Sequence, residues 1–204
     1  SVLFIILYSV PTGIISAVYH NKWIDYVLRS ISFVGVSMPT FWQALLLIIL
    51  FTSTLGWLPA TGFTTWQQMI MPVFALATSS VGTIARITRS RMMDVLDQDY
   101  IRTAHAKGVS ERKVTFHHAL RNALIPVVTV IGLQFGALLG GAVLTETIFS
   151  INGLGTMMVN AIRTRDSMTV QGGVLFIAFV FSIVNLCVDI LYAYIDPRIR
   201  SQYD

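Results

Sequence analysis

The side chains able to do chemistry are gathered in one stretch. Between positions 86 and 121 lie Arg86, Arg89, Arg91, Arg102, Lys107, Arg112, Lys113 and Arg121, eight of the fourteen Lys and Arg residues in the chain. His105, His117, His118 and the acids Asp94, Asp97, Asp99 and Glu111 share the stretch. The grouping is not that of a catalytic centre. There is no G-x-x-x-x-G-K-[ST] loop to cradle a nucleotide, no His-Glu-x-x-His or Cys/His spacing to hold zinc, and no G-x-S-x-G turn to present a serine. His117 and His118 are adjacent, so on a helix they point apart and give no ligand pair. The single cysteine, Cys187, lies in an apolar run and excludes a disulfide framework and a Cys-based metal cluster. No catalytic residue, metal or cofactor is therefore expected on this chain. The chemistry left to the segment is recognition, with charge and hydrogen-bonding groups presented to water.

The elements that must position this segment are apolar. Hydrophobic residues make up 54% of the 204 residues and charged residues 12%, about half the charged share usual in soluble domains, and the mean hydropathy is +0.70. The expected fold is all-α, a polytopic transmembrane helix bundle. Five spans are expected, at about 1–19, 33–53, 70–85, 123–144 and 172–195, with 20–32 as a short polar link. Pro11 and Gly13 inside the first run are tolerable in a membrane helix, and Trp57 and Trp66 between the second and third runs fit an interfacial belt.

Lys and Arg number two, zero, eight, two and two over the four connections and the tail. The positive-inside rule then places the first and third connections and the C-terminus in the cytoplasm. Membrane topology accounts for the basic pI without nucleic acid. It also leaves Ser1 outside, with no basic n-region of a signal peptide ahead of it, so an earlier span is expected upstream and 1–204 reads as one membrane domain lacking its first span.

Few polar groups fall inside the spans. Gly132, Gly136 and Gly140 are spaced by four and put a smooth stripe on one helix face, which serves close helix packing. Gln134 on the same span either lines a pathway or makes an interhelical hydrogen bond. Asn185 and Asp189 share a face of the last span. They read either as a buried polar pair or as part of a pathway, since an ionisable group at that depth faces a bundle interior or a water-filled cavity. Positions 154–166 carry Leu154, Met157, Met158, Ala161 and Ile162 at helical spacing, as a short amphipathic helix would.

The charged segment itself is more ordered than topology demands. Met92, Met93, Val95, Leu96, Tyr100, Ile101 and Ala104 recur among the charges, which predicts short amphipathic helices. Gly108 stands where a helix would end in the left-handed conformation, and Ser110 where the next would be capped. The pattern predicts a helix–Gly–helix device that docks on a partner.

Its core, Tyr100-Ile101-Arg102-Thr103-Ala104-His105-Ala106-Lys107-Gly108-Val109-Ser110-Glu111-Arg112-Lys113-Val114, followed by His118-Ala119-Leu120-Arg121-Asn122-Ala123-Leu124-Ile125-Pro126, resembles the EAA loop of ABC importer permeases. It is most similar to the dipeptide/oligopeptide/nickel branch, B-type subunit. Ser37-Met38-Pro39-Thr40-Phe41-Trp42, Leu55-Gly56-Trp57-Leu58-Pro59, Glu146-Thr147-Ile148-Phe149-Ser150, Gly153-Leu154-Gly155 and Asp196-Pro197-Arg198-Ile199-Arg200 extend the resemblance over nearly the whole chain.

The resemblance implies a type I importer permease fold and a coupling helix that sits in a cleft of a cytoplasmic ATPase. Arg102, Thr103 and Ala104 occupy the Glu-Ala-Ala positions and Gly108 the motif glycine, with Tyr100 and Lys107 on the same loop. Arg102 and Thr103 depart from the family residues, whereas the small Ala104 and Gly108 are kept. It further implies a second, similar permease subunit, two ATPase subunits that carry ATP and Mg, an extracytoplasmic substrate-binding protein, and a multi-pass location in a bacterial inner membrane. The implied function is ATP-driven import of dipeptides or oligopeptides, or of nickel or a metal chelate. An ion-coupled secondary transporter or a non-transporting membrane scaffold are the alternatives. Both lack an ATPase partner.

Overall fold

The computed structural model describes residues 1–195, the side chains at 137, 139–141 and 192–195 excepted. Among the described residues every regular element is helical. The first is α1 (Val2–Val18), followed by α2 (Trp23–Ser37), α3 (Thr40–Leu47) and a π-helical turn over Ile48–Thr54. Then come α4 (Trp66–Leu96) and α5 (Asp99–Ala106). A continuous rod follows, made of α6 (Glu111–Lys113), a π-helical stretch over Val114–Ala119 and α7 (Leu120–Ile148). The chain continues through α8 (Leu154–Arg163) into α9 (Ser167–Ile195).

Three helices among these are long and apolar enough to cross a membrane: Trp66–Leu96, Glu111–Gly136 and Ser167–Leu191. Helix α1 is apolar but shorter, its 17 residues spanning about 25 Å. The expected second span, 33–53, is corrected. The helix begins at Trp23, well inside the supposed polar link, and the chain turns by 103° between α2 and α3. The cause is Pro39. A residue before proline is pushed out of the helical region, and Met38 is extended at φ −91°, ψ 127°. The expected third span is likewise longer than 70–85, because α4 carries Arg86, Arg89 and Arg91 without a break.

Helix α4 is the axis of the bundle. Helix α1 packs parallel to it, with Phe4 against Phe74 and Gly13 against Thr88, whereas α2 packs antiparallel, with Gly35 against Thr78 and Asp25 against Arg89; α7 lies against it in turn. The approach of α2 is close: a Cβ on Gly82 would come within 2.5 Å of the Ser32 carbonyl oxygen. Three apolar clusters follow one another along α4. Met71 and Ala75 meet Ala44 and Phe149 at one end. Ala77 and Ile84 meet Ile5 and Val127 in the middle. Met92 meets Ile14, Ala17, Ile101, Val114, Ala119 and Ala123 at the other end.

Helix α9 packs on α7 and α8. The meeting surface of α7 and α9 is set by glycine, since a Cβ on Gly132 would lie 2.6 Å from Val188 Cγ2 and one on Gly136 2.5 Å from Phe181 Cε2. Gly140 continues the same stripe by its spacing, but its surroundings lie outside the described residues. So do Asp196, Pro197, Arg198, Ile199 and Arg200.

Candidate functional site

The site grows from the end of α4. After Leu96 the chain turns and enters α5, a two-turn helix with one apolar edge. Ile101 is 1% exposed and sits among Met92, Val114, Ala119 and Ala123, with Ala104 half-buried beside it. Burial of an isoleucine side chain is worth about 1.5–3 kcal/mol, so α5 is held against the ends of α1, α4 and α7 by its own hydrophobic edge. The opposite edge is free: Arg102, Thr103, His105, Ala106 and Lys107 are all exposed.

Local bonds fix the shape of this surface. The Val109 N–H donates to the Ala104 carbonyl at 3.2 Å and the Gly108 N–H to the His105 carbonyl at 2.9 Å, the paired bonds of a Schellman motif. Gly108 has φ +74°, a conformation that costs a residue with a Cβ roughly 1–2 kcal/mol. The glycine is therefore required by the backbone, for no atom lies within 4 Å of the place a Cβ would take. Asn122 Nδ2 donates to Tyr100 Oη at 2.9 Å and ties α5 to the start of α7. Thr103 Oγ1 donates to the Asp99 carbonyl at 2.9 Å, and Arg102 lies 3.7 Å from the Asp99 carboxylate. Both Arg102 and Asp99 are open to solvent, so this pair contributes little to stability. Across the glycine turn His105 Nδ1 stands 3.3 Å from Glu111 Oε1. Ser110 occupies the position before α6, but its hydroxyl makes no capping bond.

The loop residues Tyr100, Arg102, Thr103, Ala104, Lys107 and Gly108 are thus brought together on one small platform. The polar residues of the spans are not. Gln134 is half-buried on α7, two residues from both Gly132 and Gly136 and so on the face turned away from α9. Asn185 is half-buried and Asp189 exposed on α9, with no hydrogen bond between them among the described residues.

One cluster has no counterpart among the residues expected from the sequence. Asp25, in the first turn of α2, is fully buried and accepts four hydrogen bonds. Its Oδ1 receives Ser16 Oγ at 2.5 Å and Arg89 Nε at 2.8 Å. Its Oδ2 receives Arg89 Nη2 at 2.8 Å and the Asn21 backbone N–H at 3.1 Å. Arg89 Nη2 also meets His20 Nδ1 at 2.8 Å, which makes that imidazole nitrogen the acceptor. The bidentate fork joins α1, α2 and α4 at one point. It lies one helical turn before Met92, the residue against which α5 is seated. In sequence the signal was faint: a lone acid among apolar residues, 64 positions from its partner.

At the far end of the molecule Glu146 plays a comparable part for α8. Its Oε2 accepts the Thr156 N–H at 2.9 Å, placing a carboxylate at a helix N-terminus, where it is favoured. Helix α8 itself occupies the place expected of an amphipathic helix in 154–166.

The geometry describes a helical bundle long and apolar enough to cross a membrane, with a short helix packed across the ends of α1, α4 and α7. The chain is 46% identical to a dipeptide transport system permease protein of Alkalihalophilus pseudofirmus, over 98% of this chain and 68% of that protein. It is 44% identical to a glutathione transport system permease protein of Escherichia coli K12, over 98% of this chain and 65% of that one. The chain thus spans about two thirds of the length of these relatives. A solved structure described as the MetNI methionine ABC transporter in inward-facing conformations shares the fold at a TM-score of 0.77 and 14% identity, covering 96% of this chain and 89% of that one. The family described as "Binding-protein-dependent transport system inner membrane component" matches residues 9–201, and the chain belongs to that family.

Proposed function

We propose that this chain is the membrane-spanning subunit of a peptide importer, and that it receives the work of ATP hydrolysis through α5. The observation that carries the reading is the two-sided character of α5, with Ile101 buried in a cluster shared by α1, α4 and α7 and an exposed edge from Arg102 to Lys107. A helix built in this way transmits a push to three spans at once. The ATP and Mg belong to two ATPase subunits that dock on the exposed edge, which faces the cytoplasm by the charge asymmetry of the connections. A second permease subunit and an extracytoplasmic binding protein complete the assembly, and 1–204 forms a single permease domain without catalytic residues of its own. Peptide as cargo is supported by the relatives, named for dipeptide and glutathione transport. ATP-driven closure of the ATPases moves α5 as a rigid body, and the spans rock with it between inward- and outward-facing arrangements.

Substitution at Gly108 tests this reading. Gly108→Val forces a β-branched residue to φ +74° and reshapes the platform, whereas Gly108→Asn introduces a residue that tolerates that conformation. Uptake of labelled dipeptide by membrane vesicles should fall sharply in the valine variant, at unchanged membrane abundance, and be retained largely in the asparagine variant. Full uptake by Gly108→Val would count decisively against α5 as the coupling element.

A further inference from the structure

Beside the Asp25–Arg89 cluster, α2 and α4 line a half-open cavity of about 670 Å³ that also reaches Thr12 and Ser16 of α1. The volume falls within the range of about 300–1,000 Å³ typical of small-ligand sites. Its walls are largely apolar and its mouth is basic. Arg29 and Arg86 enter it together with Arg89, while Ser30, Ser32 and Ser90 add hydroxyls and Tyr26 a phenol. Only Arg89 is neutralised, by its fork to Asp25. Arg29 and Arg86 have no carboxylate partner among the described residues, although Arg29 lies one turn from Asp25 on the same helix. The acid that could have paired with Arg29 is buried and fully engaged elsewhere. Two exposed guanidinium groups and the hydroxyls of Ser30, Ser32 and Ser90 thus line one space, with no carboxylate paired to either arginine among the described residues.

We propose that this cavity binds the phosphate of an anionic phospholipid headgroup. Guanidinium forks match phosphate oxygens bidentately, and hydroxyls supply further donors. The outer face of α2 says why the anion is a lipid and not a free ion. Ile31 is 65% exposed, Phe33 68% and Val34 55%, and Phe33 and Val34 also line the cavity. Trp23 and Tyr26, exposed one turn and more away, are residues that settle at the headgroup level of a bilayer. A headgroup seated between Arg29 and Arg86 sends its acyl chains along Phe33 and Val34. Basic pockets between membrane helices recognise anionic headgroups by this combination.

The test uses the full-length protein purified from membranes in mild detergent, with native mass spectrometry reading retained phosphatidylglycerol against phosphatidylcholine. The wild type should retain phosphatidylglycerol selectively. The variant R29Q/R86Q should bind it about thirtyfold more weakly, from the loss of two basic contacts near a membrane surface, and R29K/R86K, which keeps the charge but loses the bidentate forks, should bind with intermediate affinity. Equal retention by R29Q/R86Q, or no preference over phosphatidylcholine, overturns the proposal. Displacement of the lipid by inorganic phosphate identifies a free-anion site and overturns the lipid assignment. A photoactivatable phosphatidylglycerol on the wild type is independent of any folding defect in the variants. Its label should map to positions 26–34 and 82–90, and labelling confined to other helices overturns the site.

Discussion

Asp25 and Arg89 offer the sharpest test of how the helix ends are joined. Replacing Asp25 with Ala removes the acceptor of four hydrogen bonds, two of them from one guanidinium. Arg89, with its side chain only 15% exposed, is left charged with His20 as its remaining partner. Breaking one side of a buried pair of this kind costs about 3–5 kcal/mol. Arg89→Ala should cost a similar amount, because it strands a carboxylate that is fully buried. The double variant removes both charges, and should be less destabilised than the two losses added together by about 2–3 kcal/mol. Unfolding of the detergent-solubilised protein, followed through tryptophan fluorescence in a denaturing-detergent titration, measures all four corners of the cycle. Trp23 stands two residues from Asp25 and reports locally. Strictly additive losses, or a loss under about 1 kcal/mol for Asp25→Ala, would refute the view that this pair welds α1 and α2 to α4. Transport should fall in the single variants in step with stability.

Ile101→Ala removes the anchor of α5 and should cost about 2–5 kcal/mol of local stability; proteolysis in the 97–110 region should accelerate while membrane insertion is unchanged. Gly136→Leu drives a side chain into Phe181 and should loosen α9 from α7 by roughly 1–3 kcal/mol or more, read as a lowered melting temperature in detergent. Asp166 accepts the Thr169 hydroxyl at 2.6 Å and its backbone N–H at 3.1 Å at the start of α9, and these bonds hold its carboxyl below the ordinary carboxylate range. A depressed value in the folded state means the contribution is present above the ordinary value and lost as pH falls through the folded one. The protection of the Thr169 amide, measured as its exchange rate relative to the intrinsic rate at the same pH, should therefore fall in Asp166→Ala at neutral pH, and in the wild type only on strong acidification.

The class of fold was legible because lipid imposes it: long apolar runs and asymmetric charge leave little choice but a helical bundle. The short helix of the charged segment was legible too, since Gly108 marks its end and the apolar residues Ile101 and Ala104 stand three apart. What escaped was set by contacts distant in sequence. Trp23 to Ser37 reads as half polar link and half span, because Lys22, Asp25 and Arg29 lie beside hydrophobic neighbours. Only the partner arginine on α4 turns Asp25 from a loop charge into a buried one. The π-helical stretch over Val114–Ala119 is equally silent, for the register of one hydrogen-bond ladder depends on how Val114, Thr115 and Ala119 seat under α5. Gln134 and Asn185 were singled out for polarity alone, which does not say toward which neighbour a helix face will turn.

The unbroken run of α4 has a mechanical meaning. From Pro72 to Leu96 it is a single rod of about 36 Å at 1.5 Å per residue. A tilt of about 10°, on the scale of subunit rotations in known switches, sweeps its far end through about 6 Å. No glycine or proline interrupts the part from Thr83 to Leu96, and beyond it only Gly82 and Pro72 could bend the path to Met71. If those two positions hold straight, such a tilt at the Leu96 end would carry the Met71 end sideways by about the thickness of a peptide strand, by leverage alone.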